Sequence, residues 1–104
     1  MAKMVVIFGQ PADPTAFDQH YFAVHVPLAK RLPGLRGYDV SRGSVMTPTG
    51  GPEPYLVATL VFDNRAAILG AFATPEGKAC SADRRVLAPN GADVEIHLFD
   101  TVEV

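Results

Sequence analysis

The chain has little of what anchors most functional assignments. It carries one cysteine, Cys80, in 104 residues, which excludes an intramolecular disulfide framework and a cysteine-cluster metal site. It has no tryptophan, and no excess of positive charge: nine lysines and arginines against eleven acids give a net charge of −2. Non-specific nucleic-acid binding needs a basic stripe to displace counterions, so that function class is set aside. The longest apolar run, Tyr55 to Phe62, includes Thr59 and falls far short of the ~20 residues of a membrane span. Met1-Ala2-Lys3 leads into a strand-like segment without a signal-peptide layout, so a soluble cytoplasmic protein is expected. Neither Gly-x-Gly-x-x-Gly nor a phosphate-binding loop occurs, and repeats and low-complexity tracts are missing.

What is there is an ordinary apolar fraction, 48%, in a chain long enough for one domain spanning residues 1–104. At this mass about 65% of the unfolded surface can be buried, a sufficient but modest core.

Lys3 to Phe8 is β-branched and apolar on both faces, which predicts a strand covered on both sides. Asp13-Pro14 opens a helix, with Asp as cap and Pro at the first helical position. Phe17, Tyr21, Val24, Leu28 and Leu32 then form an apolar stripe that Pro33-Gly34 ends. Pro27 lies inside this helix and is expected to kink it. Leu35 to Ser44 predicts a second strand, with Arg36, Tyr38, Val40 and Arg42 on one face. Tyr55 to Phe62 predicts a third, mainly apolar on both faces. Asp63 is the expected cap of a second helix over Asn64 to Ala73. Pro75 is expected to restart it as a separate turn that fades before Pro89-Asn90-Gly91. Asp93 to Val102 is the last strand, with Val94, Ile96 and Leu98 on one face and Glu95, His97 and Phe99 on the other.

The order βαββαβ, closed by right-handed crossovers, predicts an α+β ferredoxin-like sandwich with both helices on one face of an antiparallel sheet. Helices on one face leave the other to water, where strands ordinarily alternate toward polar residues. The first and third strands do not alternate. The simplest cover for their second face is another copy of the chain, giving a homodimer of two sheets packed face to face.

The densest chemistry lies in the first helix, from Phe17 to Ala29. At ~100° per residue, His20 and His25 flank the buried stripe on opposite edges, about 140° apart. A histidine at the border of a core is placed for proton transfer, and equally for hydrogen-bonding a carbonyl. The five-residue spacing lacks the i, i+4 geometry of a preorganised metal pair, so no protein-only metal site is expected. Cys80 has basic neighbours in Lys78, Arg84 and Arg85 that would lower a thiol pKa. Its alternative role is a small residue packing a helix. His97 is read as a cross-strand or interface residue.

His20-Tyr21-Phe22-x-x-His25-x-Pro27-Leu28-Ala29, followed by Leu32-Pro33-Gly34-Leu35-Arg36-Gly37-Tyr38, resembles the EthD family of dimeric α+β barrels. Phe62-Asp63 and the Thr74-Pro75-Glu76-Gly77 turn with Asp83 beyond add weaker markers. The resemblance implies a small-molecule catabolic protein with a ligand in a cleft between helices and sheet. It implies that His25 faces this cleft as the proton-transfer residue and that His20 and Tyr21 lie at its mouth or wall. Arg36 and Tyr38 would offer a cation and a phenol to an acidic or enolic ligand. A cofactor-free oxidoreductase or isomerase is the activity expected. Family members are often labelled reductases, which no cofactor motif here supports. Haem through one axial histidine is known among related barrels, but the small chain without tryptophan argues against it. The competing expectation is a non-catalytic ligand-binding accessory protein of an oxidative degradation pathway.

Overall fold

In the computed structural model, which describes residues 1–104 except for the side chain of Ala92, the chain folds as βαββαβ. Strand β1 (Ala2–Phe8) is followed by helix α1 (Pro14–His20), which runs through a π-helical turn (Tyr21–His25) into α2 (Val26–Ala29). Strands β2 (Gly37–Val40) and β3 (Leu56–Phe62) come next, then α3 (Arg65–Phe72), α4 (Pro75–Leu87) and β4 (Val94–Asp100). The four strands form one antiparallel sheet in the order β2-β3-β1-β4. This is the ferredoxin-like sandwich that the strand and helix pattern predicts.

The register sorts side chains as expected. Met4, Val6, Phe8, Leu56, Ala58, Leu60 and Phe62 point to the helices and are buried. Val5, Ile7, Val57, Thr59 and Val61 point the other way and remain half-buried, with nothing packed over them. The chain exposes 6535 Å², against roughly 5,700 Å² for a typical monomer of its mass. The excess fits a flat molecule, 35 × 33 × 22 Å, with an open sheet face.

Several boundaries differ from expectation for identifiable reasons. The N-cap of α3 is Asn64, whose side chain accepts the Ala67 N–H at 2.8 Å. Asp63 instead turns both its oxygens to Arg36. The segment after Pro75 does not fade. It forms a helix of 13 residues that ends at Leu87, capped by the Thr74 hydroxyl on the Gly77 N–H. Strand β2 is shorter than expected because Gly43 takes a positive φ of 70° and turns the chain away just beyond Ser41. Strand β4 stops at Asp100, whose carboxylate accepts from the Arg65 backbone N–H and pairs with its side chain.

The first helix departs most. Val26 N–H bonds to the Tyr21 carbonyl, five residues back, the pattern of a π turn. Pro27, with no N–H to give, sits directly after it in the first turn of α2. A wider turn shifts the buried face by one residue. Phe17, Tyr21, His25, Ala29 and Leu32 are buried, whereas Val24, expected inward, is exposed.

Candidate active site

The π turn corrects the expected placement of the two histidines. Residues five apart stack in an i→i+5 turn. His20 and His25 therefore lie on one side of the helix, not on opposite edges, and both reach Asp83 on α4. His20 Nε2 lies 2.8 Å from Asp83 Oδ1 and His25 Nδ1 lies 2.9 Å from Oδ2. A carboxylate only accepts, so each imidazole donates an N–H to it. His25 is buried, at 7% exposure, while the His20 side chain is one-third exposed.

Burial pushes the pKa of His25 below its ordinary value, and the nearby Asp83 carboxylate opposes this shift without overcoming it. The ring is thus neutral at pH 7, with its proton on Nδ1 and the Nε2 lone pair unused. No side-chain nitrogen or oxygen sealed from solvent lacks a partner among the described residues. Nε2 forms no hydrogen bond and so is not sealed from solvent, and His25 lines a cavity.

That cavity has a volume of about 260 Å³ and lies between the helices and the sheet. Met4, Val6, Ala58 and Leu60 form its floor, and Ile68 and Phe72 of α3 form part of its wall. It opens beside β4, where Ile96 and Leu98 face the helix side of the sheet but remain exposed. Its polar groups are few. Tyr21 and His25 come from the π turn, Tyr38 from β2, and Cys80, Ser81, Arg84 and Arg85 from α4.

Tyr21 and Tyr38 share a hydrogen bond of 2.7 Å between hydroxyls. Burial raises both phenol pKa values, so both keep their protons near neutrality. Two hydroxyl hydrogens serve one mutual bond, which leaves one free for a ligand oxygen. The Tyr21 ring is held edge-on by Phe8 at 5.9 Å, stacked on Phe17 at 5.9 Å and tilted against His25 at 5.2 Å. Aromatic packing thereby fixes the phenol and the imidazole relative to each other.

The other expected site residues are distributed differently. Arg36 is not at the cavity. Its guanidinium is bidentate on Asp63 at 3.1 Å for each bond, on an exposed surface. His20 bonds to Asp83 but lines a separate depression with Ala16, Phe17 and Leu87 and not the cavity. Cys80 is buried at the cavity, and burial pushes its thiol up to about 11, so it serves packing and not nucleophilic attack. His97 is exposed on the outer sheet face, 3.3 Å from Glu95.

Sequence reasoning assigned no role to Asp83, which proves to be the hub. Its signal was the Thr74-Pro75 helix start, since a helix from Pro75 places Asp83 two turns along it. It also gave Arg84 and Arg85 no place at the cavity. Among the described residues, no group of three or more His, Cys, Asp or Glu is arranged to hold a metal ion, and no helix is long and apolar enough to cross a membrane.

The EthD domain profile matches residues 9–89. An 11.0 kDa protein from the thcB–thcC intergenic region of Rhodococcus erythropolis is 36% identical over 91 residues, covering 88% of this chain and 87% of that protein. The crystal structure of an ethyl tert-butyl ether degradation (EthD) family protein from Bacillus halodurans superposes with a TM-score of 0.86 at 34% identity, covering 98% and 99% of the two chains. The cofactor-independent oxygenase SnoaB from Streptomyces nogalater shares the fold, with a TM-score of 0.68 at 21% identity over 99% and 94% of the chains. Two further structures of this fold, each 16% identical, are of dimeric ferredoxin-like proteins.

Proposed function

Starting from the fact that the chain belongs to the EthD family, we propose that it is a cofactor-free enzyme that moves a proton on a small cyclic carbon acid. His25 is the base. The single observation that supports this reading best is His25 itself. It is neutral, held through Nδ1–H by Asp83 with Nε2 free of any hydrogen bond, and it lines a largely apolar cavity. A carboxylate on one imidazole nitrogen sets the tautomer and leaves the other as a base.

In the proposed step a C–H beside a ligand carbonyl loses its proton to His25 Nε2. The C–H electron pair moves onto the carbonyl oxygen as an enolate. Asp83 stabilises the imidazolium, and the free hydroxyl hydrogen of the Tyr21–Tyr38 pair stabilises the oxyanion. Return of the proton to a different carbon completes an isomerisation. Capture of the carbanion by dioxygen would instead be a cofactor-free oxygenation, the class named for SnoaB.

The open sheet face supports a homodimer with one cavity in each protomer, and two proteins of this fold are described as dimeric. The single domain is taken to span residues 1–104, with the family match at 9–89 as its centre.

The test is solvent-deuterium incorporation into a panel of small cyclic ketones and lactones, read by NMR. Enzyme-dependent exchange that His25→Gln abolishes, with the melting temperature retained, is the expected result. Ligands that bind and protect the cavity but never exchange would replace the enzyme by a binding protein.

A further inference from the structure

The cavity has a charged corner that the proton-transfer reading leaves unused. Arg84 and Arg85 sit in the last turn of α4, and both line the cavity. Arg84 is half-buried. Among the described residues neither guanidinium has a carboxylate partner. The carboxylate next in sequence, Asp83, has its oxygens committed to the two histidines. A guanidinium is a rigid fork of donors that fits a carboxylate in a bidentate pair. Here one such fork borders an apolar cavity without a partner for it.

Resting on the reading of this cavity as a substrate site, we infer that the substrate is itself a carboxylate: a small, mainly apolar cyclic acid, anchored by Arg84 and Arg85, with its reacting carbon toward His25. The volume of about 260 Å³ lies below the ~300–1,000 Å³ typical of sites for drug-sized ligands, so the ligand is a one- or two-ring acid and not a larger polycycle. The apolar ring lies over Met4 and Leu60, and Ile96 and Leu98 flank the entrance.

The anchor has a consequence for the base. The Arg84 charge is one of the influences that disfavour a protonated His25. A bound carboxylate neutralises that charge, so His25 becomes more basic when the ligand is in place. The ligand thus helps to switch on the base that acts on it.

Basic residues in a last helical turn also complement the helix dipole, so the test must separate anchoring from that structural role. Benzoate and its neutral isostere benzamide are titrated into the intact protein, with the His25 imidazole resonances reporting cavity occupancy. The inference expects benzoate to bind at least about tenfold more tightly than benzamide and to raise the His25 pKa. In Arg84→Gln and in the Arg84→Gln/Arg85→Gln double variant, the preference falls toward unity while benzamide affinity is kept. Arg84→Lys retains part of it. Equal affinities in the unmodified protein overturn the inference, while His25 shifts with both ligands leave the cavity reading standing. A preference that survives the double variant also overturns it, as does equal loss of both ligands with a lowered melting temperature. If neither compound moves His25, the anion anchor and the cavity reading fail together.

Discussion

His25 Nδ1 and Asp83 Oδ2 lie 2.9 Å apart, joining residues 58 positions apart in the chain. This contact ties the π turn to α4 and sets which nitrogen of His25 carries the proton. Asp83→Asn is expected to disrupt that choice. Its amide offers one acceptor and one NH₂ where both histidines need an acceptor. Where the NH₂ faces His25, the imidazole proton must move to Nε2 and the base is lost. Proton exchange should fall by about 10²–10⁴-fold, the range of a positioned acid–base group. Imidazole ¹⁵N shifts would show the tautomer change directly. Unchanged shifts and unchanged exchange would remove Asp83 from the mechanism.

The depressed His25 pKa also governs stability. Its ordinary value of 6.5 applies to the unfolded chain, and burial lowers it in the fold. Between the two values the unfolded chain binds more protons, so stability rises with pH. The His25 contribution is therefore complete above about 6.5 and is lost as pH falls through the folded-state value. Melting temperatures should drop on acidification below pH 6.5, and His25→Gln should flatten that slope. An unchanged slope in the variant would assign the acid sensitivity to other groups.

The hydroxyl pair sets a different expectation. Tyr21 is 1% exposed and finds its hydrogen-bond partner in Tyr38. Tyr38→Phe leaves the Tyr21 hydroxyl buried without a partner, at a cost of about 1–3 kcal/mol. The double variant Tyr21→Phe/Tyr38→Phe removes both polar groups and should recover much of that loss. Urea denaturation of the four proteins gives the coupling energy as a thermodynamic cycle. Additive effects would mean that the two hydroxyls do not depend on each other.

Much of this was legible in the sequence because two-residue and near-four-residue periodicities report burial directly. Val6, Phe8, Ala58 and Leu60 on one face, and Val5, Ile7, Val57 and Val61 on the other, follow from alternation alone. The family resemblance, and not periodicity, implies site roles for His25, Tyr21 and Tyr38, and all three line the cavity. What escaped was what periodicity cannot carry. A uniform 100° per residue misplaces His20 and His25, because the turn between them is π-helical and Pro27 withholds the next N–H. Arg84 and Arg85 reach the cavity, and Asp83 reaches the two histidines, only through the docking of α4 on the π turn, a long-range event. The family resemblance implies a site role for Arg36 beside Tyr38, but Asp63 captures its guanidinium on the surface.

Gly77 shows how closely that docking is set. A Cβ there would collide with the Ala71 carbonyl oxygen and the Phe72 backbone. The second helix pair meets at this point, one turn after Thr74, and backbone atoms cannot yield as a side-chain end would. Gly77→Ala should cost on the order of 2–3 kcal/mol and move α4, and with it Asp83, away from the histidines. Weakened His25 coupling to Asp83 in imidazole spectra, together with a lowered melting temperature, is the expected pair of results. A variant with native stability would show that α3 and α4 separate freely.

The outer sheet face carries the last prediction. Val5, Ile7, Val57 and Val61 form an apolar patch that nothing in the protomer covers, and Phe99 beside them is 41% exposed. A second copy across a two-fold axis would place the same patch against itself, so one substitution enters the interface twice. Ile7→Lys puts two ammonium groups into that contact without touching the helix-facing core, since Ile7 points away from it. Sedimentation should change from dimer to monomer, with the far-ultraviolet circular dichroism preserved. The cavity lies on the opposite face of the sheet, so benzoate shifts at His25 should persist in the monomer, weakened only as far as the sheet floor under Met4 and Leu60 loosens. A dimer that survives Ile7→Lys would mean that the copies meet through some other surface.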